Sequence, residues 1–211
     1  MTAITVDTTL VGGMMRAWTP QLRLNLVPKA RRLSDDDFFD FCRVNSDYRI
    51  EMDKHGDIEI MPPTGGETGI KNFKLTGAFG LWVQKDGTGE GFDSSTAFIL
   101  PNGATRSPDL SWMTLERWNA IPKAKRKKFA PVCPDFVVEL RSETDTIKKL
   151  QAKIEEYIEN GASLGWLIDA ITRKVYVYRP GAEIEIFDNP KEISGGELLK
   201  GFTLKMKDIW D

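Results

Sequence analysis

The segment of residues 134–141 constrains the fold most, because it places a carboxylate in a strand that otherwise has the composition of a protein core. Side chains alternate along a strand, so Glu139 shares a face with Val137, in surroundings that do not suit a solvent-facing acid. A second acid, Asp109, lies in the preceding candidate strand. Carboxylates are rarely buried unless they are paired or bind a metal. If the two strands are neighbours, the two acids predict a site for a hard cation.

The same two acids also have a structural explanation. Glu139 could pair with Arg141, and Asp109 with Arg106, since structural ion pairs resemble functional sites in their electrostatics. Magnesium prefers one or two protein carboxylates, keeps several waters and accepts phosphate oxygens, so the metal hypothesis favours a phosphodiester hydrolase. Spacing alone leaves both explanations open.

Composition narrows the class of protein. The chain has 211 residues, 41% of them hydrophobic, which is enough for one sizeable core. A formal net charge of −2 argues against a strongly basic nucleic-acid-binding coat but allows a local patch. No apolar run approaches the about 20 residues needed to span a bilayer. The two cysteines lack metal-site spacing and the amino terminus lacks a leader pattern, so we expect a soluble, reduced, cytoplasmic protein with no membrane partner.

The single histidine, His55, lies in a predicted hairpin turn. Its isolation excludes mechanisms that need two histidines, and it has no evident partner for Ser-His-Asp or Cys-His chemistry. Metal-assisted carboxylate chemistry is then the economical enzymatic option.

The pattern of elements predicts a mixed α/β (α+β) fold with a central mixed sheet flanked by helices. Residues 1–30 show no sustained hydrophobic period, so we expect a flexible amino-terminal arm before a single domain of residues 31–211. Helices are predicted at 35–45, 66–84 and 145–160, with a short one beginning at 114. Strands are predicted at 49–52, 58–61, 91–93, 97–100, 107–112, 134–141, 164–169, 174–178 and 183–187. Those at 91–93, 97–100 and 107–112 are predicted to form an antiparallel meander.

Four further groups complete the candidate site. Arg141 can hold phosphate but is a poor proton acceptor, because its guanidinium stays protonated. Lys153 borders the apolar arc of the third long helix and could reach the sheet near Glu139. Glu67 opens the second helix, where the helix dipole favours an acid, and could hold a metal-bound water. A basic loop that could contact phosphates contains Lys125, Arg126, Lys127 and Lys128.

Each of these groups also has a structural explanation. Glu67 could simply stabilise its helix N-terminus, and Lys153 could be a boundary lysine whose ammonium extends to solvent. A run of basic residues is more often a solvated loop than a phosphate-binding one.

The ordered motifs resemble those of known nucleases. The order Glu67, Asp109, Glu139 and Lys153 resembles the PD-(D/E)XK nuclease superfamily. More narrowly, the segments 61–67, 92–96, 106–109, 137–142 and 165–169 resemble the Uma-two family of putative restriction endonucleases. The resemblance covers roughly residues 33–180, and its combination of motifs is specific although each motif alone is weak.

The resemblance implies a restriction-endonuclease-like fold and endonucleolytic cleavage of DNA that depends on Mg²⁺ or Mn²⁺. It implies Asp109, Glu139 and the Leu140 carbonyl as metal ligands, with Glu67 as an outer-shell acid. A two-fold homodimer would suit cleavage of both strands of a duplex.

One departure from the superfamily pattern keeps a second function open. The usual lysine two positions after the glutamate is Arg141 here, so the resemblance transfers its role to Lys153 through the family's Lys-x-x-x-Tyr helix. The alternative is a catalytically inactive nuclease fold that serves as a nucleic-acid-binding or protein-interaction module.

Overall fold

The computed structural model describes residues 22–24 and 32–210, so most of the predicted arm, residues 1–30, lies outside the described residues. The helices are α1 (Asp35–Val44), α2 (Gly66–Asp86), α3 (Leu115–Ala120), α4 (Lys123–Arg126), α5 (Ile147–Glu159) and α6 (Lys207–Trp210). The strands are β1 (Leu22–Leu24), β2 (Arg49–Met52), β3 (Ile58–Met61), β4 (Gly89–Asp93), β5 (Phe98–Ile99), β6 (Thr105–Arg106), β7 (Leu110–Thr114), β8 (Phe136–Leu140), β9 (Leu164–Asp169), β10 (Lys174–Tyr178), β11 (Glu185–Asp188), β12 (Glu192–Ser194) and β13 (Thr203–Lys205).

Local sequence features explain the start of α1, the end of α2 and the buried face of α5. Ser34 caps α1, since its hydroxyl accepts a hydrogen bond from the Asp37 amide. α2 ends at Gly87, whose φ of 64° is the left-handed conformation that glycine adopts without strain. α5 is amphipathic and buries Leu150, Ile154 and Tyr157 on one face.

The strands form two main sheets. The larger is mixed, with the order β11-β10-β9-β8-β7-β4, and its β8 and β9 are parallel strands joined through α5. The smaller is antiparallel, with the order β1-β3-β2-β6-β5. The fold class predicted from the sequence, a mixed sheet flanked by helices, is therefore confirmed.

The larger sheet is covered on both faces. One face packs against α2, α6 and the β12-β13 hairpin around Trp112, Trp166 and Phe202. The other packs against α5, where Val137 of β8 belongs to the same apolar cluster as Ile154. Because side chains alternate along β8, Glu139 faces α5 as Val137 does. This orientation determines which helix can supply partners to the acid.

The structure corrects the predicted path of the chain between α2 and β8. The sequence predicted one antiparallel meander here, but only β4 and β7 join the larger sheet. β5 and β6 instead extend the smaller sheet beside β2. The predicted basic loop contains a single helical turn, α4, and Asp109 lies directly before β7 rather than within it. None of the described helices is long and apolar enough to cross a membrane.

The contact between α5 and β9 leaves no room for a side chain at Gly165. A Cβ there would lie 2.7 Å from Ile154 Cγ2, so Gly165→Ala should lower the free energy of unfolding by about 1–3 kcal/mol through overpacking. Gly77 in α2 is the matched control, since a Cβ there meets no atom within 4 Å. Gly77→Ala should raise the free energy of unfolding by about 0.5–1 kcal/mol. Urea denaturation measures both, and equal effects would contradict this packing.

Candidate active site

A cleft of about 1540 Å³ lies between the two sheets. The β2-β3 hairpin, the first turn of α2, the end of β8 and one side of α5 line it. Glu67, Asp109, Glu139 and Lys153, the predicted catalytic residues, all contribute to its lining. Long-range folding therefore brings to one cleft four residues that are far apart in the chain.

Asp109 and Glu139 lie on neighbouring strands, as the sequence predicted. Leu110 pairs with Val138 in the antiparallel register of β7 and β8, which places Asp109 across from Glu139. The backbone amide of Leu140 donates a 2.8 Å hydrogen bond to Asp109 Oδ2. Both acids are buried, with 8% of Asp109 and 3% of Glu139 exposed to solvent. This burial makes their charge expensive unless cations compensate it.

Lys153 supplies one such cation from α5. Its Nζ lies 2.9 Å from Glu139 Oε1 and 2.9 Å from Glu51 Oε1. The hydroxyl of Tyr157, one helical turn later, donates a 3.1 Å hydrogen bond to the same oxygen of Glu139. Burial lowers the pKa of the Lys153 ammonium, but the charges of Glu139 and Glu51 outweigh burial and raise it above its ordinary value. Lys153 is therefore a cation at neutral pH.

Glu51 is the acid that sequence reasoning missed. It accepts hydrogen bonds from the Ser107 amide at 2.9 Å and from Lys153, and it pairs with Arg106 at 3.3 Å. Burial raises the pKa of its carboxyl, but Lys153, Arg106 and Arg49 lower it to about 2. Ile50, Glu51 and Met52 are all buried, so both faces of β2 are covered. A strand this short gives no local signal of that coverage.

The pKa of Glu139 is shifted in the opposite direction to that of Glu51. Burial raises the pKa of its carboxyl most, and the neighbouring charges of Asp109 and Glu51 raise it further. Lys153 and Arg49 compensate only in part, so the pKa of Glu139 is about 7. A cation bound beside Glu139 would remove this penalty.

The ion pairs differ from those that the structural explanation predicted. Asp109 pairs with Arg49 at 2.9 Å rather than with Arg106, which donates from Nε to Glu156 at 2.6 Å. Arg141 pairs with Asp169 at 2.8 Å rather than with Glu139. The predicted partners of both acids were therefore wrong, although both acids do have cationic partners.

The remaining predicted residues lie further from the acids. Glu67 is exposed in the first turn of α2, at the rim of the cleft. The basic segment Lys125, Arg126, Lys127 and Lys128 does not line the cleft. Within it, the Arg126 guanidinium lies 5.2 Å from the Trp118 ring centroid, and Lys128 pairs with the exposed Asp36 at 2.8 Å. The structure thus separates this segment from the buried carboxylates.

The donor set suits a hard cation with few protein ligands. In residues 22–24 and 32–210, no group of three or more His, Cys, Asp and Glu side chains is arranged to hold a metal ion. Asp109 and Glu139 offer two carboxylates, which is the number that magnesium commonly takes from a protein while it retains water. The raised pKa of Glu139 indicates a carboxylate with too little positive charge around it. Two buried carboxylates therefore fit a hard divalent cation that keeps water ligands, and they do not fit a metal site that needs four protein ligands.

Comparison with known proteins gives matches over most of the chain. The family model described as Uma2, putative restriction endonuclease, matches residues 35–207. The chain is also similar to a crystal structure of a putative nuclease belonging to DUF820 from Anabaena variabilis ATCC 29413, with 21% sequence identity and a TM-score of 0.67. That match covers 84% of this chain and 97% of the other, and at this identity it supports the fold alone. The comparison with curated proteins found no match.

The opposite pKa shifts of Glu139 and Glu51 predict that neutralising the two acids in metal-free protein changes stability with different pH dependences. The folded pKa of Glu139 is raised from 4.5 to about 7, so its contribution to stability is fully present below pH 4.5 and is lost as pH rises through 7. The free energy of unfolding of Glu139→Gln, relative to wild type, should therefore be higher at pH 8 than at pH 5 by roughly 1–3 kcal/mol.

Glu51 supplies the matched control. Its folded pKa is lowered to about 2, so it stabilises the protein above pH 4.5 and loses this effect only as pH falls through 2. Glu51→Gln should destabilise the protein to a similar extent at pH 5 and pH 8. Urea denaturation in EDTA measures both variants, and a pH-independent effect of Glu139→Gln would contradict the electrostatics described above.

Proposed function

We propose that this chain, which belongs to the Uma2 family of putative restriction endonucleases, is a divalent-metal-dependent endonuclease that hydrolyses DNA phosphodiester bonds. The observation that carries this proposal is the convergence of Asp109, Glu139 and Lys153 in one cleft. Two adjacent buried acids with a charged lysine beside them suit hydrolysis of a phosphodiester that binds through a metal ion.

Asp109 and Glu139 would hold Mg²⁺ or Mn²⁺, with the Leu140 carbonyl as a third oxygen ligand. When bound, the ion would supply Lewis-acid activation of the scissile phosphate. Oxygen-only ligands favour these two metals over zinc. The Leu140 amide fixes the orientation of the Asp109 carboxylate through its hydrogen bond to Oδ2.

Lys153 would stabilise negative charge that develops on the phosphate. Because its pKa is raised, it is not a proton acceptor at neutral pH. Glu51 fixes its ammonium beside Glu139, and the ammonium therefore needs little reorganisation during the reaction. Glu67, at the rim of the cleft, is the candidate for positioning a water in the outer shell of the metal.

Substrate contacts extend beyond the acids. Arg141 lines the cleft and is half-buried, so it could bind a phosphate if it exchanges its pairing with Asp169. The basic segment 125–128 lies outside the cleft and would contact only flanking DNA. A homodimer would place a second cleft on the other strand of a duplex.

The alternative function is a catalytically inactive nuclease fold that binds nucleic acid or a protein. Its specific support is that Arg141 replaces the usual lysine and is engaged by Asp169. The contact between Lys153 and Glu139 favours the enzyme instead, because a charged lysine reaches the same carboxylate from α5.

Plasmid cleavage tests the proposed function. Purified protein should nick or linearise plasmid DNA in Mg²⁺ or Mn²⁺ and should not do so in EDTA. Glu139→Ala should abolish both cleavage and calorimetrically detected Mn²⁺ binding, since it removes one of the two carboxylates. Absence of cleavage by wild type on single-stranded, duplex and branched DNA would instead favour the inactive alternative.

Lys153 and Lys149 provide a matched test of the catalytic cation. Both are on α5, one turn apart, and each pairs with a buried glutamate of the β2-β3 hairpin, but Lys149 contacts Glu59 and not Glu139. Lys153→Ala should lower the single-turnover cleavage rate at saturating metal by about 10²–10³, as for loss of one electrostatic stabiliser. Lys149→Ala should cleave at close to the wild-type rate. Equal rates for the two variants would remove Lys153 from the mechanism.

A further inference from the structure

Arg49 lies outside the predicted nuclease motifs, yet it contacts Asp109, one of the two proposed metal ligands. It begins β2 in the smaller sheet, and its side chain reaches Asp109, which lies directly before β7 of the larger sheet. Its Nη1 lies 2.9 Å from Asp109 Oδ1, and its Nη2 donates to the Ser107 carbonyl. The oxygen that Arg49 contacts is the one that the Leu140 amide leaves open. The guanidinium therefore lies where a metal ligated by Asp109 would lie.

The charges around Arg49 are those of a cation site. Burial would lower the pKa of its guanidinium, but Asp109, Glu51 and Glu139 outweigh burial and raise it. These are the same acids that surround the proposed metal position. A guanidinium and a divalent ion cannot both occupy the space in front of one carboxylate oxygen without strong repulsion. Binding of one must therefore weaken binding of the other.

Arg49 is the cation of this cluster that can leave most readily. Its side chain is 30% exposed, compared with 10% for Lys153 and 14% for Arg106. Among the described residues, Lys153 and Arg106 each pair with two carboxylates, whereas Arg49 pairs with one. Within residues 22–24 and 32–210, its Nε is buried and has no hydrogen-bond partner, so the guanidinium is incompletely satisfied where it lies. Moving into the open cleft would let water or an anion satisfy that group.

We propose that Arg49 is a displaceable cation that neutralises Asp109 while the metal is absent and turns to a substrate phosphate when a divalent ion takes its place. This inference rests on the metal site of the proposed function. The guanidinium forms bidentate contacts with phosphate as readily as with a carboxylate, so the exchange keeps its charge compensated. Metal binding would thereby prepare the cleft for DNA.

Calorimetric titration with MnCl₂ tests the displacement. Arg49→Met should bind Mn²⁺ about tenfold more tightly than wild type, because a competing charge next to the metal position is gone. Arg49→Lys keeps the charge and should remain close to wild type. Lys149→Met is the control for loss of a positive charge elsewhere in the cleft and should also match wild type. Circular dichroism and thermal unfolding establish that each variant is folded.

The outcomes separate this proposal from the proposed function. If folded Arg49→Met binds Mn²⁺ with wild-type or lower affinity, the displacement is wrong while metal-dependent catalysis stands. If neither wild type nor Arg49→Met binds Mn²⁺, both the metal site and the displacement are wrong. Tighter binding by Arg49→Lys as well would show that the guanidinium geometry rather than its charge opposes the metal, which would overturn the electrostatic competition.

A second measurement tests the transfer to phosphate. With each protein saturated with CaCl₂, whose ion takes oxygen ligands as magnesium does, a fluorescein-labelled duplex is titrated and its anisotropy is recorded. Arg49→Met should bind the duplex about tenfold more weakly than wild type, as expected for loss of one charge-assisted phosphate contact. Equal duplex affinities would overturn the transfer of Arg49 to the substrate.

Discussion

The ammonium of Lys153, held between Glu51 and Glu139, joins the two sheets of this protein. Glu51 belongs to the smaller sheet, Glu139 belongs to the larger, and the lysine comes from the helix that covers the larger one. Removing one partner of such a buried group typically costs about 3–5 kcal/mol, because the other charges stay buried without compensation. Two further ion pairs, Lys149 with Glu59 and Glu156 with Arg106, link α5 to the smaller sheet in the same way. These buried charges balance one another, beside an apolar cluster that includes Phe98 of the smaller sheet and Val137 of the larger one.

This balance limits how the cleft can accept ligands. The buried acids Glu51, Asp109 and Glu139 already have cationic partners in the described structure. A divalent ion that enters such a cluster leaves surplus positive charge unless a resident cation moves or an anion arrives. A phosphodiester supplies that anion, so metal and substrate should favour each other's binding. Acidic side chains also outnumber basic ones along the cleft. A cation bound between the lining and a polyanionic ligand would therefore reduce the repulsion between them.

Local sequence signals predicted the elements that depend on local physics. The hairpin strands at 49–52 and 58–61 match β2 and β3, because alternation and an Asp-rich turn specify them without reference to the rest of the chain. Ser34 and Gly87 mark helix ends for equally local reasons. Strand partners are not local, and the sequence accordingly grouped the 97–100 strand with β4 and β7, missed β6 and gave no β12-β13 hairpin. Asp109 and Glu139 could be predicted because apolar neighbours signalled their burial, whereas Glu51 and Arg49 acquire their surroundings only when the second sheet closes over the first.

The position of the site lysine follows from the geometry of β8 rather than from spacing along the chain. Glu139 faces α5, and strict alternation would place Arg141 on the same face. β8, however, ends at Leu140, and Arg141 pairs instead with Asp169 at the end of β9. The cation must then come from whatever element covers that face. Lys153 and Tyr157, four residues apart on one side of α5, both reach the same oxygen of Glu139. A search for a lysine two residues after the glutamate would therefore miss this site, whereas a search for an ammonium near a buried strand carboxylate would find it.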